Sequence, residues 1–399
     1  MKIKLTTRWL ASAALVSSIG ATAFAFNWED ILGDPVGAVK GEIYRARSAI
    51  HICSASELKK WIEDSVIPAY KERSGIPLKA SDITFKGSGE LADRLNDGNR
   101  DKCDLVIFGS DVSAFRAKDF TKADAKDMAN SPTIFVGMKD KIDLARQHLK
   151  KQQNDKLTCS DLATVAQIEH AGRIDPEKDY LGSLTLELST SNSGQSMYVS
   201  CLYSELDAYK PAEVEAKLND KTSEEAEKRI RDFMKAIKFD VDKSGDVKDS
   251  FLLGEGDGRP GLAHLAIATY EYYLPEIAEN FKNNGSEYEV IYPPISILNN
   301  FPAMIVAKEG TEGFKTANDL RDFMRSKEMQ SKLPSLGFRP AVTGIDVKSG
   351  PFYGLMNFKE RIGRPPASSH ALGKLWDVVR EVLRSKGPEA SEVLKLPRQ

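Results

Sequence analysis

The chain has 399 residues, 41% hydrophobic and 29% charged, with 56 basic against 58 acidic side chains and a formal net charge of −2. This is ordinary globular composition, and no basic stripe marks it as a nucleic-acid binder. So long a chain outgrows a single hydrophobic core and predicts two lobes.

At the N-terminus Lys2, Lys4 and Arg8 precede an uncharged run from Trp9 to Ala25 that ends in small residues, Ala21-Thr22-Ala23 and Ala23-Phe24-Ala25. The pattern is that of a secretory leader cleaved after about residue 25. The run is broken by serines and a glycine, and is short for a membrane span. Its removal takes away three basic and no acidic groups, leaving a mature chain at −5. No later segment approaches the length of an apolar span, so the mature chain is expected not to cross a membrane. Cys53, Cys103, Cys159 and Cys201 form no C-x-x-C pair, which argues against zinc. In an oxidising compartment they permit disulfides in any of three connectivities. Cys159 with Cys201 is the favoured pair. Cys53 is read as ending one strand and Cys103 as beginning another, which would hold those two apart.

From about Ile43 short apolar strands alternate with amphipathic helices, the mark of an α/β fold. Ala49–Cys53 reads as a strand, followed by a serine-capped helix carrying Leu58, Trp61, Ile62 and Val66 at helical spacing. Ile83–Phe85 is the next strand, leading through Gly87-Ser88-Gly89 into a helix over Glu90–Leu95. Asp104–Phe108 is the third, ending at Gly109-Ser110-Asp111. Such turns at the carboxyl ends of parallel strands are where open α/β sheets bind ligands. Ser131–Met138 and Tyr292–Ala307 are apolar crossover candidates. Two crossings imply a first lobe in two pieces, 26–135 and 299–340, and a second lobe, 136–298, inserted between them. Lys217–Lys238 reads as a solvated helical face.

Ser189 to Tyr198 places hydroxyls and Gly194 between a strand, Leu184–Leu188, and a helix over Met197–Leu206. Free amides at a helix start, with hydroxyl donors, suit an anionic or strongly polar group. Gly256, Gly258 and Gly261 fit G-x-G-x-x-G, a weak signal alone; the segment reads as a loop offering Arg259, before a helix over Leu262–Tyr273 that carries Tyr270. Asp240–Asp246 mimics a calcium loop, but Phe251 stands where a bidentate glutamate belongs. The five histidines show no metal-ligand spacing. There is no G-x-S-x-G elbow, so the chain is expected not to be an enzyme and to need no cofactor or metal.

Four stretches resemble the type 2 periplasmic solute-binding proteins of ABC transporters, in the molybdate and sulfate branch and its relatives associated with von Willebrand A domains. They are Ile52–Leu58; Phe85–Ala92 with Cys103–Phe108; Ser189–Gly194; and Ala317–Pro340 with its ending Leu336-Gly337-Phe338-Arg339-Pro340. The resemblance implies two lobes, each a mostly parallel sheet flanked by helices, joined by two crossover strands. It implies a monomeric periplasmic protein that captures a small polar or anionic solute by hinge closure and delivers it to an ABC transporter permease. A scaffold or sensor that reuses the fold without transport is the alternative. The ligand residues expected on these grounds are Ser54, Ser56, Ser88, Gly89, Ser110, Asp111, Thr190, Ser191, Ser193, Gly194, Arg259 and Tyr270. Bulky replacement of Ser88 or Ser193 is expected to abolish binding and spare the fold. Residues 341–399 continue past the family's ending. Leu375, Trp376, Val378, Val379 and Leu383 lie at helical spacing there, and the extension is expected to pack on the first lobe as a removable appendage.

Overall fold

The computed structural model describes residues 50–365 except 77, 98–102, 171–180, 186–191, 219–222, 239–243, 254–263, 349 and 358–360, together with 373 and 377. The expected leader, Thr190, Ser191, Arg259 and the helix expected near 375–383, save Asp377, lie outside the described residues. In chain order the strands are β1 (Ile52–Ala55), β2 (Ile83–Lys86), β3 (Leu105–Ile107), β4 (Lys126–Asp127), β5 (Ala129–Met138), β6 (Ser183–Thr185), β7 (Ile237–Lys238), β8 (His264–Tyr270), β9 (Tyr288–Ile291), β10 (Ile295–Asn299), β11 (Pro302–Ile305), β12 (Arg339–Pro340) and β13 (Arg361–Gly363).

They form two mixed sheets. The first has the order β2-β1-β3-β11-β4, with β1 parallel to β2 and β3, and β11 antiparallel to β3 and β4. Every residue of β1 is buried, because helices cover both of its faces. On one face Leu58, Trp61, Ile62, Val66 and Tyr70 pack against Ala317, Leu320, Phe323 and Met324. On the other, Leu91, Ala92 and Leu95 meet Phe108 and Phe120. The helical run over Ser56–Ser74 holds a π-helical segment, Ile62–Val66, next to Pro68, whose ring nitrogen has no hydrogen to give. The second sheet runs β13-β10-β5-β8-β6-β7, with β9 and β12 also on β5. Its antiparallel pairs all involve β5, whose first residues pair with β12 and β10 and whose remainder pairs with β8 and β9.

The chain leaves the first sheet between β4 and β5 and returns through Asn300 and Phe301, between β10 and β11. Phe301 adopts φ of +43° there. Phe301 is buried in the first sheet's core, which holds it in a backbone region that non-glycine residues seldom occupy.

Three expectations are corrected. Leu262–Tyr273 does not form one helix: His264–Tyr270 is a strand buried along its whole length, between β5 and β6, and Glu271–Tyr273 is a short 3-10 turn. A wholly buried apolar run carries no period to separate strand from helix, and sheet pairing decides it. Cys53 and Cys103 are bonded, with Cα atoms 5.7 Å apart, alongside Cys159–Cys201. Cys53 is the second residue of β1, and the Asp104 and Leu105 amides both donate to the His51 carbonyl, so Cys103 enters β3 at the matching amino end.

The extension, thirdly, does not stay on the first lobe. It starts there, with the Ala341 amide on Gln330, and then adds β13 to the second sheet, parallel to β10. A Cβ on Gly363 would come within 3.0 Å of Ile295 and 3.1 Å of Tyr203, so glycine lets β13 approach. On the way the Asn357 amide donates to the Tyr292 hydroxyl and its carbonyl accepts from Arg339. Arg339 in turn forks onto the fully buried Glu271 carboxylate, which also accepts from Tyr292.

Two predictions follow from these ties. Denaturant unfolding without reductant is expected to expose no titratable thiol, and the Cys159→Ala/Cys201→Ala protein to lose about 2–4 kcal/mol of unfolding free energy, because the loop closed by that bond spans 42 residues. A chain ending at Gly344 is expected to fold but to lose roughly 2–4 kcal/mol, the scale of uncovering buried polar partners together with an edge strand, as read by chemical denaturation. A loss below about 1 kcal/mol would return the extension to the status of an appendage.

Candidate functional site

Three strand-to-helix turns and one helix start converge between the sheets: Ser54–Glu57 after β1, Gly87–Ser88 after β2, Gly109–Asp111 after β3, and the start of the helix Asn192–Leu206. Gly87 precedes the helix Ser88–Asn96, and its amide donates to the Glu90 carboxylate, closing the first turn. Ser88 Oγ accepts from the Gly109 amide at 2.7 Å. A Cβ on Gly109 would lie 2.8 Å from Ser88 Oγ and 3.1 Å from Asn192 Nδ2. Only glycine lets these turns close on one another.

Asn192 is the hub. Its Oδ1 accepts from Ser110 and Ser113 of the first sheet's turn. Its Nδ2 donates to Tyr270 OH at 3.1 Å and to Asn299 Oδ1 at 2.9 Å. Tyr270 OH then donates to Glu57 Oε1 at 3.1 Å. Asn299 accepts from Ser196 and donates to Ser131 and Thr133. Hydrogen bonds thus run from β3's turn, through the second sheet, and back to the turn after β1.

The turns after β1 and β2, with Asn192, floor a cleft of about 1200 Å³ lined by Ser56, Glu57, Ser88, Asn192, Tyr272 and Tyr273. Tyr272 stacks on Phe338 with ring centroids 4.2 Å apart, and Tyr273 is 4.1 Å from Tyr272. Phe352 and Leu355 of the extension complete the apolar wall. Lys248 lies 5.2 Å from the Tyr273 ring and is paired with Glu276 and Asp249. Glu57 is half-buried. Its desolvation raises its pKa above the usual carboxylate value, against the lowering effect of hydrogen bonds from its own backbone, Tyr270 and Ser56. Burial likewise pushes the Tyr272 and Tyr273 hydroxyls up. Among the described residues no cluster of histidine, cysteine and carboxylate could hold a metal ion.

Of the expected ligand residues, Ser56 and Ser88 line the cleft. Ser54 is buried and donates to the Ala55 carbonyl. Ser110 and Tyr270 are fully buried and bonded to Asn192. Gly89 is buried in the first turn of the helix Ser88–Asn96, and Ser193 and Gly194 in that of the helix expected from Met197, which begins at Asn192. Bulky replacements at Ser88 and Ser193 would therefore strain the fold itself, contrary to expectation. Asp111 turns to Lys122 and Asn300, away from the cleft, and ties β3's turn to the return crossing. Glu57, Asn192, Tyr272, Tyr273 and Phe352 escaped the sequence reading. Glu57 follows a strand, and Asn192 stood inside a recognised turn; hydroxyl groups drew the attention instead.

The sequence model of the family described as bacterial extracellular solute-binding protein matches residues 50–339. A search of curated protein sequences finds no significant match. Among solved structures, a periplasmic thiamin binding protein is similar with a TM-score of 0.55 at 15% identity, covering 85% of this chain and 96% of that one. The ferric binding protein from Campylobacter jejuni gives 0.53 at 15%, covering 85% and 99%. The sulfate-binding protein from Mycobacterium tuberculosis H37Rv gives 0.52 at 18%, covering 83% and 97%. At such identities the likeness is one of fold, the two-lobed α/β architecture of periplasmic binding proteins.

The state of Glu57 makes a stability prediction. Its raised pKa means that the folded protein holds this proton more tightly than the unfolded chain does. Ionised Glu57 therefore costs stability above its folded pKa, and the cost is relieved as pH falls through that value towards the ordinary 4.5. Glu57→Gln is expected to melt higher than the parent at pH 7, and thermal melts from pH 8 to pH 4 should show the gap closing. A gap independent of pH would refute this account of Glu57.

Proposed function

The chain belongs to the bacterial extracellular solute-binding protein family, and on that premise we propose that it captures a small polar solute in the cleft floored by Glu57, Ser88 and Asn192 and delivers it to an ABC-type membrane transporter. In this reading it is an exported periplasmic binding protein, led out by residues 1–25, and not an enzyme. Sheet membership supports a first lobe of residues 50–128 with 300–338 and a second of 129–299, with β12 at Arg339–Pro340 pairing onto β5 of the second sheet. The lobes swing about Met128–Ala129 and Asn300–Phe301, and solute favours the closed form by its higher affinity for it.

The observation that carries this reading is the Ser110–Asn192–Tyr270–Glu57 chain, which joins the two sheets across the floor of the cleft. A residue bonded to both lobes is placed to sense closure. The anionic half of the sequence expectation finds less support. Two helix starts face the cleft, yet its lining carries six acidic side chains against four basic. A scaffold or sensor without transport is the second reading, and the same chain of bonds favours it in one respect: the floor is tied together by the protein's own side chains.

Native mass spectrometry of the purified protein and a thermal-shift screen of amines, sugars, amino acids and anions separate the two. Capture predicts stabilisation that grows with solute, about 2.7 kcal/mol at a hundredfold excess over Kd. Asn192→Ala is expected to lower stability by about 2–4 kcal/mol through loss of four buried partners and to increase the radius of gyration in small-angle scattering. No stabilisation by any solute would leave the scaffold reading.

A further inference from the structure

Glu57 stands apart from the other charged groups of the cleft. Lys59, Lys60 and Lys282 line the rim and are exposed, and Lys248 is occupied by Glu276 and Asp249. At the floor Glu57 accepts from neutral donors, its own backbone amide, Tyr270 at 3.1 Å and Ser56 at 3.4 Å, and among the described residues no cation pairs with it. A carboxylate partly withdrawn from water without a countercharge costs free energy, and a ligand bearing positive charge recovers it. Glu63 and Asp64 continue the acidic side of the cleft along the same helical run.

Beside it lies the stacked wall of Tyr272, Tyr273 and Phe338, next to Tyr270, which donates to Glu57; Phe352 and Leu355 also line the cleft. A ring face attracts cations, and Tyr273 already has the Lys248 ammonium 5.2 Å from its centroid. Phe352 and Leu355 fall beyond residues 50–339 matched by the family, so this part of the wall belongs to the extension.

We propose that the captured solute is an organic cation, an amine or quaternary ammonium with an apolar or aromatic body, its charge paired with Glu57 and its body against the Tyr272–Tyr273–Phe352 wall. The assignment rests on solute capture in this cleft and deepens it. An anion placed at the helix starts would meet the Glu57 carboxylate; a neutral solute would leave that carboxylate uncompensated.

The test is calorimetric titration of the full chain at pH 7.5 with benzyltrimethylammonium, phenethylamine and choline, against benzyl alcohol, sulfate and molybdate. The cations are expected to bind, the neutral and anionic probes at least about tenfold more weakly. Glu57→Gln should lose about tenfold or more in cation affinity while its melting temperature does not fall. Phe352→Ala/Leu355→Ala should weaken benzyltrimethylammonium more than choline, a split that a general loss of structure would not produce. Tighter binding of sulfate or molybdate, or equal binding of benzyl alcohol, overturns the cation assignment and leaves solute capture standing. So does an unchanged affinity in Glu57→Gln. Failure of every probe here, together with every solute of the wider screen, removes both.

Discussion

One asparagine ties the two halves of this fold together. Asn192 starts a helix of the second lobe, accepts two hydroxyls from the first, and donates to Tyr270 and Asn299 on the strands that line the passage between them. An amide group has one acceptor and two donor sites that all need partners when buried, so its burial specifies which turns may meet, and at what distance. Gly109 is the steric counterpart, since any side chain there would collide with Ser88 and Asn192. The cleft exists in its present shape because these polar groups are satisfied by each other.

Polar satisfaction at the floor leaves Glu57 as the exception. Its neighbours are hydroxyls and rings, and burial makes its charge costly. Sites that bind are commonly paid for in this way, with stability surrendered where a partner is meant to come. The aromatic wall beside it is held by stacking among Tyr270, Tyr272 and Phe338, so the cleft presents a preformed ring surface next to a carboxylate bonded to Tyr270.

A second buried charge holds the passage between lobes. Glu271 is wholly buried and is met by the Arg339 fork and by Tyr292, while the extension covers both through the Asn357 backbone. Breaking such a pair leaves an uncompensated charge. The segment after Pro340 thereby connects first-lobe helix, cleft wall and second sheet in fewer than thirty residues, from Ala341 on Gln330 to β13 on β10. It ties the two sheets together and adds Phe352 and Leu355 to the lining of the cleft.

The alternation of strands with helices was legible in the sequence because it is local. Leu58, Trp61, Ile62 and Val66 recur at helical spacing, and all four are buried. Of the two apolar crossover candidates, Tyr292–Ala307 contains the return at Asn300–Phe301, whereas Ser131–Met138 lies inside β5, past the point where the chain leaves the first sheet. Local pattern failed where one residue has two consistent readings: His264–Tyr270 is apolar without a period, and only its pairing with β5 and β6 makes it a strand. It failed again where the partner is remote. Cys53 finds Cys103 through the register of β1 and β3, and Arg361–Gly363 finds β10 across some sixty residues. In the site, sequence identified the turns, since glycine and serine after a strand have few other uses. Which side chains face the cleft depended on the tertiary structure. Ser110 and Ser113 are consumed in binding Asn192 and Ser54 in binding Ala55, whereas Glu57, Tyr273 and Phe352 line the cleft from segments that only folding brings together.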